Sequence, residues 1–293
     1  MNKITKLLLF VCGLTYSQNV TIFDAQNHRP IAFVNIQFNK NYGNYTNEKG
    51  IFTVNMSATD TLRLTHISYE DYIIKANDIK DTIIMLPKIM SLKEVVITKH
   101  ESAPQYIDFP KKCRNISSFP LSSKSELVTL IIPNTTVIDA TITKINFNFE
   151  KRRRTKENIS FQTAFKINIY ATNDKKEIKD KIYASEAILI NPKKNNKIEL
   201  NLEMENLEFA ENGIFIGIEA IGAIDSQSNI IANDSNYIRA ILTDKSIYEY
   251  SSISFLRYIF NQEQNLFPIN DILTETSGAI MNRSLSFGLT IQK

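Results

Sequence analysis

His28, His66 and His100 are the only imidazoles in this 293-residue sequence, and their spacing limits the chemistry they can do. Zinc hydrolysis needs two His and a carboxylate on one metal, or His-Glu-x-x-His along one helix. The three histidines lie in separate segments. His100-Glu101 begins the helical motif, but Pro104 stands where the second His belongs, and proline there breaks the helix. His66 shares strand parity with Leu62 and Leu64 and reads as a partly buried, hydrogen-bonded structural residue. Serine chemistry finds no Gly-x-Ser-x-Gly elbow. Nucleotide binding finds no Gly-rich loop ahead of a helix. Gly213, Gly217 and Gly222 punctuate an apolar stretch instead, where glycine permits close packing.

Glycoside hydrolysis needs only two carboxylates facing a cleft, and 31 Asp and Glu leave that open. Glu219 is the unusual one, because it sits inside the apolar run Gly213–Gly222. Buried there, it serves either as an acid of raised pKa or as hydrogen-bonded structure, and the structural reading is favoured. Asp225–Asn229 and Asn233–Asn236 offer hard oxygen ligands, so a structural calcium is a candidate cofactor beside the simpler reading of solvated turns. Lys151, Arg152, Arg153 and Arg154 form the sharpest charge feature. Lying between two alternating strands, they are expected at a hairpin tip, as a solvated loop or a contact for polyanions. No Trp is present, which counts against a typical sugar-stacking face. Tyr237, Tyr248 and Tyr250 are the aromatics that stand in for one, if core packing does not claim them.

The N-terminus reads as a secretory signal over 1–17. Lys3 and Lys6 precede the apolar run Leu7–Leu14, and Thr15-Tyr16-Ser17 sets cleavage before Gln18. Cys12 admits lipidation, but Phe10 and Val11 fit a lipoprotein signal poorly. No other segment reaches the ~20 apolar residues of a membrane-spanning helix, so no transmembrane segment is expected after cleavage. The net charge of +3 falls to +1 when two of the 34 cationic residues leave with the signal, so no global field draws the chain to nucleic acid. Cys113 then stands alone and cannot form an internal disulfide.

The elements that would position these residues are strands. Val20–Asp24, Val34–Phe38, Ile51–Val54, Thr61–Ile67, Tyr72–Lys75 and Asp81–Leu86 are short, mostly alternating, and separated by turn compositions such as Asn47-Glu48-Lys49-Gly50. His100–Pro120 has no period and three prolines, and reads as a linker. Leu127–Ile132, Ala140–Phe149, Phe165–Tyr170, Lys197–Leu202, Gly213–Gly222 and Ser284–Ile291 follow as strands, with a hint of helix at Ile253–Phe260. The expectation is an all-β chain: a small β-sandwich over 18–97, a linker over 98–120, and a larger jelly-roll-like β-sandwich over 121–293.

Pro30-Ile31-Ala32-Phe33-Val34, Thr46-Asn47-Glu48-Lys49-Gly50-Ile51-Phe52 and Leu92-Lys93-Glu94-Val95-Val96 give the first region a further identity. In that order they resemble the carboxypeptidase-regulatory-like domain in the form common on exported Bacteroidetes proteins. The resemblance departs at Ile67-Ser68-Tyr69, where that family usually carries Gly. It implies a prealbumin-like or Ig-like sandwich without catalytic residues. Phe165–Tyr170 followed by Asn212–Glu219 is similar to uncharacterised modules that follow this domain. Asp60-Thr61-Leu62 and Asp81-Thr82-Ile83 match a short pattern O-glycosylated in exported proteins of that group.

The expected function is a non-catalytic, exported cell-envelope binding or docking module with an envelope protein or glycan as partner. It would be periplasmic, outer-membrane associated or at the cell surface. The alternatives are an envelope glycan or peptide hydrolase with an unrecognised carboxylate site, and a purely structural outer-membrane accessory protein.

Overall fold

The computed structural model describes residues 18–39, 41–54, 61–88, 103–107, 117–151, 162–191, 196–231, 238–261, 263 and 265–293. The chain divides into two units, 1–88 and 89–293. Both are built from β-sheets, as the alternating segments predict.

The first unit holds β1 (Gln18–Asp24), β2 (Asn35–Asn39), β3 (Tyr42–Tyr45), β4 (Ile51–Val54), β5 (Thr61–His66), β6 (Tyr69–Lys75) and β7 (Thr82–Met85). They form two sheets of order β4-β1-β7 and β3-β2-β5-β6, with β1 and β7 parallel. Period-2 alternation turns Val20, Ile22, Phe52, Ile83 and Met85 of one sheet and Ile36, Phe38, Leu62 and Leu64 of the other into one core. The turn before β4 forms as its composition predicts. Asn47 Oδ1 accepts from the backbone N–H groups of Lys49 (3.0 Å) and Ile51 (2.9 Å), and Gly50 takes φ 72°. A Cβ at Gly50 would stand 2.9 Å from the Ile22 carbonyl oxygen, so glycine is required twice over. Ser68 keeps a negative φ and so escapes the strain that a glycine position would impose on it.

The second unit begins with β8 (Gln105–Ile107), β9 (Ser118–Pro120), β10 (Ser125–Pro133), β11 (Thr141–Lys151), β12 (Gln162–Thr172), β13 (Ile178–Ala184) and β14 (Ile188–Ile190). It continues with β15 (Lys197–Asn201), β16 (Leu207–Glu208), β17 (Ile214–Ile224), β18 (Ile230–Ile231), β19 (Ile238–Thr243), β20 (Tyr250–Tyr258) and β21 (Phe267–Pro268). It ends with α1 (Ile269–Ser277), β22 (Ser284–Leu285) and β23 (Phe287–Gln292).

One sheet has the order β13-β12-β17-β10-β20-β21 and the other β22-β19-β11-β23-β8. The core contains Leu127, Ile167, Ile169, Ile216 and Ile218 from the first sheet and Ile145, Phe147, Phe149, Phe287 and Leu289 from the second. Strand β17 is buried along its whole length, which accounts for its nearly unbroken apolar sequence.

Three expectations change. Ile253–Phe260 forms most of β20 rather than helix, because it pairs with β10 and its residues alternate between the main core, where Leu256 packs, and the opposite face, where Phe255 packs. The α-helix among the described residues is α1, capped by Gly278 at φ 71°. The span read as linker contributes β8, paired to β23, and β9, paired to β19. Strands of three residues flanked by prolines carry no readable period.

Candidate functional site

Strands β20, β10, β17 and β12 bring one charged residue each to a single cross-strand row: Arg257, Glu126, Glu219 and Lys166. The row lies on the sheet face opposite the main core, since Leu127, Ile167 and Ile218, the chain neighbours of three of its members, all belong to that core. All four side chains are buried, Glu126 completely and Glu219 to within 1%. Charge therefore runs + − − + across the sheet, with the two carboxylates adjacent. Like charges directly opposite each other destabilise a sheet, and burial amplifies the effect.

The next two rows supply the compensation. Asn168, one row along on β12, donates its side-chain amide to both carboxylates, 2.8 Å to Glu126 Oε1 and 2.8 Å to Glu219 Oε2. This spends both amide hydrogens and turns Oδ1 away, where it has no hydrogen-bond partner in the structure. Tyr170, two rows along, donates its hydroxyl to Glu126 Oε1 (2.9 Å). Arg257 grips Glu126 Oε2 through Nε (2.6 Å) and Nη2. Its guanidinium also lies 4.6 Å from the Tyr170 ring centroid, and Lys181 Nζ lies 5.5 Å from the same ring.

Gly217 stands opposite both Val128 and Asn168 and leaves the space this arrangement uses. A Cβ there would lie 2.1 Å from Glu126 Oε1. Beyond the row, Val128, Leu130, Tyr170 and Phe215 form a second apolar cluster on the same face.

Protonation follows from the packing. Burial pushes the Lys166 ammonium below its usual range, against the pull of Glu219. Burial, then the charge of Glu126, raises the Tyr170 phenol well above its usual value. Burial works against the Arg257 cation, but Glu126 and Tyr170 outweigh it, so its pKa rises. The result is a closed ionic network. A hydrolytic pair must reach a glycosidic oxygen and a water, whereas these two carboxylates are covered and already hydrogen-bonded.

An open cavity of about 570 Å³ lies elsewhere in the second unit. It is lined by the end of β10 at Pro133 and Asn134, the β19–β20 connection with Asp244, Lys245 and Tyr248, and by Asn282 and Ser284. Hydroxyls near it tie the two sheets together. Ser252 meets Ser284 (2.9 Å), and Ser254, paired within its own sheet to Thr129 (2.8 Å), accepts from the Leu285 N–H of the other sheet (2.8 Å).

The residues picked from sequence scatter. Glu219 is buried in the ionic row, and its partners Glu126, Lys166 and Arg257 are residues that the sequence pattern does not single out. The available signal was a lone charge within each of three apolar runs, Ser-Glu-Leu-Val, Phe-Lys-Ile-Asn and Phe-Leu-Arg-Tyr. His66 is buried, with Nδ1 accepting from the Ser68 N–H (3.2 Å) and its ring edge-on to Tyr69. Tyr250 is core, stacked on Phe287 at 5.8 Å, whereas Tyr248 is 78% exposed.

Asp225 spends its carboxylate on its own turn, accepting from the Gln227 and Asn229 N–H groups (2.8 Å each) and from Asn229 Nδ2 (3.3 Å). Among the described residues, no group of three His, Cys, Asp or Glu is arranged to hold a metal. Lys151 ends β11, and Arg152, Arg153 and Arg154 lie outside the described residues, as do the signal segment, Cys12, His100, Cys113, Asn233–Asn236 and Tyr237. The described strands on either side of the basic run, β11 and β12, belong to different sheets. Thr61 and Thr82, the two candidate glycosylation sites, are exposed at the starts of β5 and β7. Among the described residues no helix is long and apolar enough to cross a membrane.

The two units define an all-β protein whose second unit combines a sealed ionic row with an open polar cleft. No family model matches the sequence, and no curated protein matches it either.

Proposed function

We propose that this chain is an exported, non-catalytic binding protein of the cell envelope, in which the first unit serves as spacer or docking module and the second recognises the ligand. The observation that carries this reading is the division of polar residues in the second unit. Its paired carboxylates are closed to solvent and consumed by Asn168, Tyr170 and Arg257. Solvent-facing polar groups instead line the cleft around Tyr248. Binding sites commonly occupy such concavities, built on connections held by a rigid sheet. Export is supported by the N-terminal sequence pattern.

The test is a cross-linked pull-down of the tagged native protein combined with membrane fractionation. Recovery with an envelope protein or glycan supports the reading. Turnover of an envelope glycan or peptide by the purified chain, abolished by a Glu substitution, replaces it with a hydrolase.

A further inference from the structure

The ligand class follows from the cleft, granted that the second unit is a binding module. We propose that the cleft between Asn134, the β19–β20 connection and Asn282 is a subsite for a neutral oligosaccharide, with the ring of Tyr248 as its stacking platform.

The lining argues for a polyhydroxylated ligand. Of its fourteen residues only Ile132, Pro133 and Ile247 have purely apolar side chains, too few for the mostly apolar wall that a hydrophobic ligand requires. The remainder offers donors and acceptors side by side: the Lys245 ammonium, the Asn282 amide, the Ser246 and Ser251 hydroxyls and the Asp244 carboxylate. A sugar presents hydroxyls of both kinds around its rim and a C–H face in the middle. An exposed phenol ring suits that C–H face.

Charge argues for a neutral sugar. Asp244 and Lys245 are the two charged residues among the fourteen that line the cleft, and they lie 3.5 Å apart, so their charges offset one another. An anionic glycan would meet the Asp244 carboxylate, and a cationic ligand would meet the Lys245 ammonium.

The platform is held in place before any ligand arrives. Asn134 Nδ2 donates to the Tyr248 carbonyl (2.6 Å), and the Asn134 N–H donates to the Glu249 carbonyl (2.8 Å). Asn134 Oδ1 in turn accepts from the Thr136 N–H (2.9 Å). The connection carrying the exposed ring is therefore pinned to the end of β10, which reduces the ordering cost of binding. The exposure of Tyr248 and the pinning of its backbone together distinguish a platform from an incidental surface tyrosine.

The experiment is calorimetric titration of the full mature chain with defined neutral oligosaccharides: α- and β-linked glucans, xylan, mannan and galactan fragments. Heparin serves as the anionic comparison. Wild type is expected to saturate with at least one neutral fragment. Tyr248→Ala should weaken that binding by about tenfold, Tyr248→Phe should keep it within about threefold, and Tyr258→Ala, at the far end of β20, should leave it unchanged. Asn282→Ala, also in the cleft lining, is expected to weaken it too and stands in if Tyr248→Ala fails to fold.

Equal binding by wild type, Tyr248→Ala and Asn282→Ala overturns the proposal, and so does binding of heparin alone. If no oligosaccharide binds but the pull-down recovers an envelope protein, the ligand class is wrong and the binding-module reading stands. If neither is recovered, both fall.

Discussion

Glu126 and Glu219 stand directly opposite each other on β10 and β17, both closed to solvent and both bound by the single side-chain amide of Asn168. Two adjacent buried carboxylates are tolerable because cations end the row on either side and because Asn168, Tyr170 and Arg257 donate to them. A pair held this way is a structural commitment of the sheet, with no oxygen left facing a substrate.

Gly217 is the weakest point of that commitment. Its missing Cβ is the space that the Glu126 carboxylate uses, with 2.1 Å separating the would-be atom from Oε1. A long side chain would ordinarily swing aside, but Glu126 is held by Arg257, Asn168 and Tyr170. Gly217→Ala is therefore expected to destabilise the second unit by about 3 kcal/mol, the upper end for overpacking. Urea unfolding followed by circular dichroism measures it. A loss below about 1 kcal/mol would show that the carboxylate can relocate.

Breaking the Arg257–Glu126 pair should cost more than removing it. Arg257→Met leaves Glu126 buried without its cation, at about 3–5 kcal/mol. Adding Glu126→Gln to that variant removes the stranded charge and should recover a large part of the loss, since exchanging both partners is often nearly neutral. The coupling comes from a double-mutant cycle of unfolding free energies. Additive losses would mean that the two side chains do not act as a pair.

Much of the fold was legible because alternation encodes it. Leu62 and Leu64 of β5, Phe147 and Phe149 of β11, and the apolar run of β17 each point to the face that they occupy. Asn47 to Gly50 announced its turn by composition. The ionic row was not legible as a unit. Glu219 stood out in an apolar strand, but its neighbours come from residues 126, 166 and 257, and only the sheet order β20-β10-β17-β12 makes them adjacent. Tyr250 illustrates the converse. Sequence grouped it with Tyr248 two positions away, and strand entry turns one into the core while the other stays on the connection.

The first unit carries an acid-sensitive lock. The Tyr69 hydroxyl donates to Asp24 Oδ2 (2.7 Å), and with the N–H of Gln26 (2.6 Å) on Oδ1 it holds the Asp24 carboxyl below its usual 3.8. A depressed carboxyl contributes stability that is present above pH 3.8 and lost as pH falls through the lower folded value. Tyr69→Phe removes the largest cause, so the Asp24 pKa should move up and the acid-dependent part of the stability should shrink. Carboxyl ¹³C titration by NMR reads the shift. An unmoved Asp24 would rule out the hydroxyl as its cause.

At the alkaline end the sign reverses. Burial raises the phenols of Tyr170 and Tyr250 above their usual 10, reinforced by Glu126 and Glu249 respectively. The unfolded chain releases these protons near pH 10 and the folded one does not, so their contribution is complete below pH 10 and drains away as pH rises toward the folded values. Lys166 acts the other way. Its folded pKa lies below 10.5, so stability recovers slightly as pH climbs to 10.5. The net expectation is a shallow dependence up to about that pH and a steep decline beyond it, with buried-tyrosine absorbance appearing only as the protein unfolds. Tyr170→Phe should cost about 1–2 kcal/mol at neutral pH through the hydrogen bond lost to Glu126, and should flatten the alkaline decline. Urea midpoints of both proteins at successive pH values measure this. Parallel curves above pH 10 would exclude Tyr170 as a source of the alkaline loss.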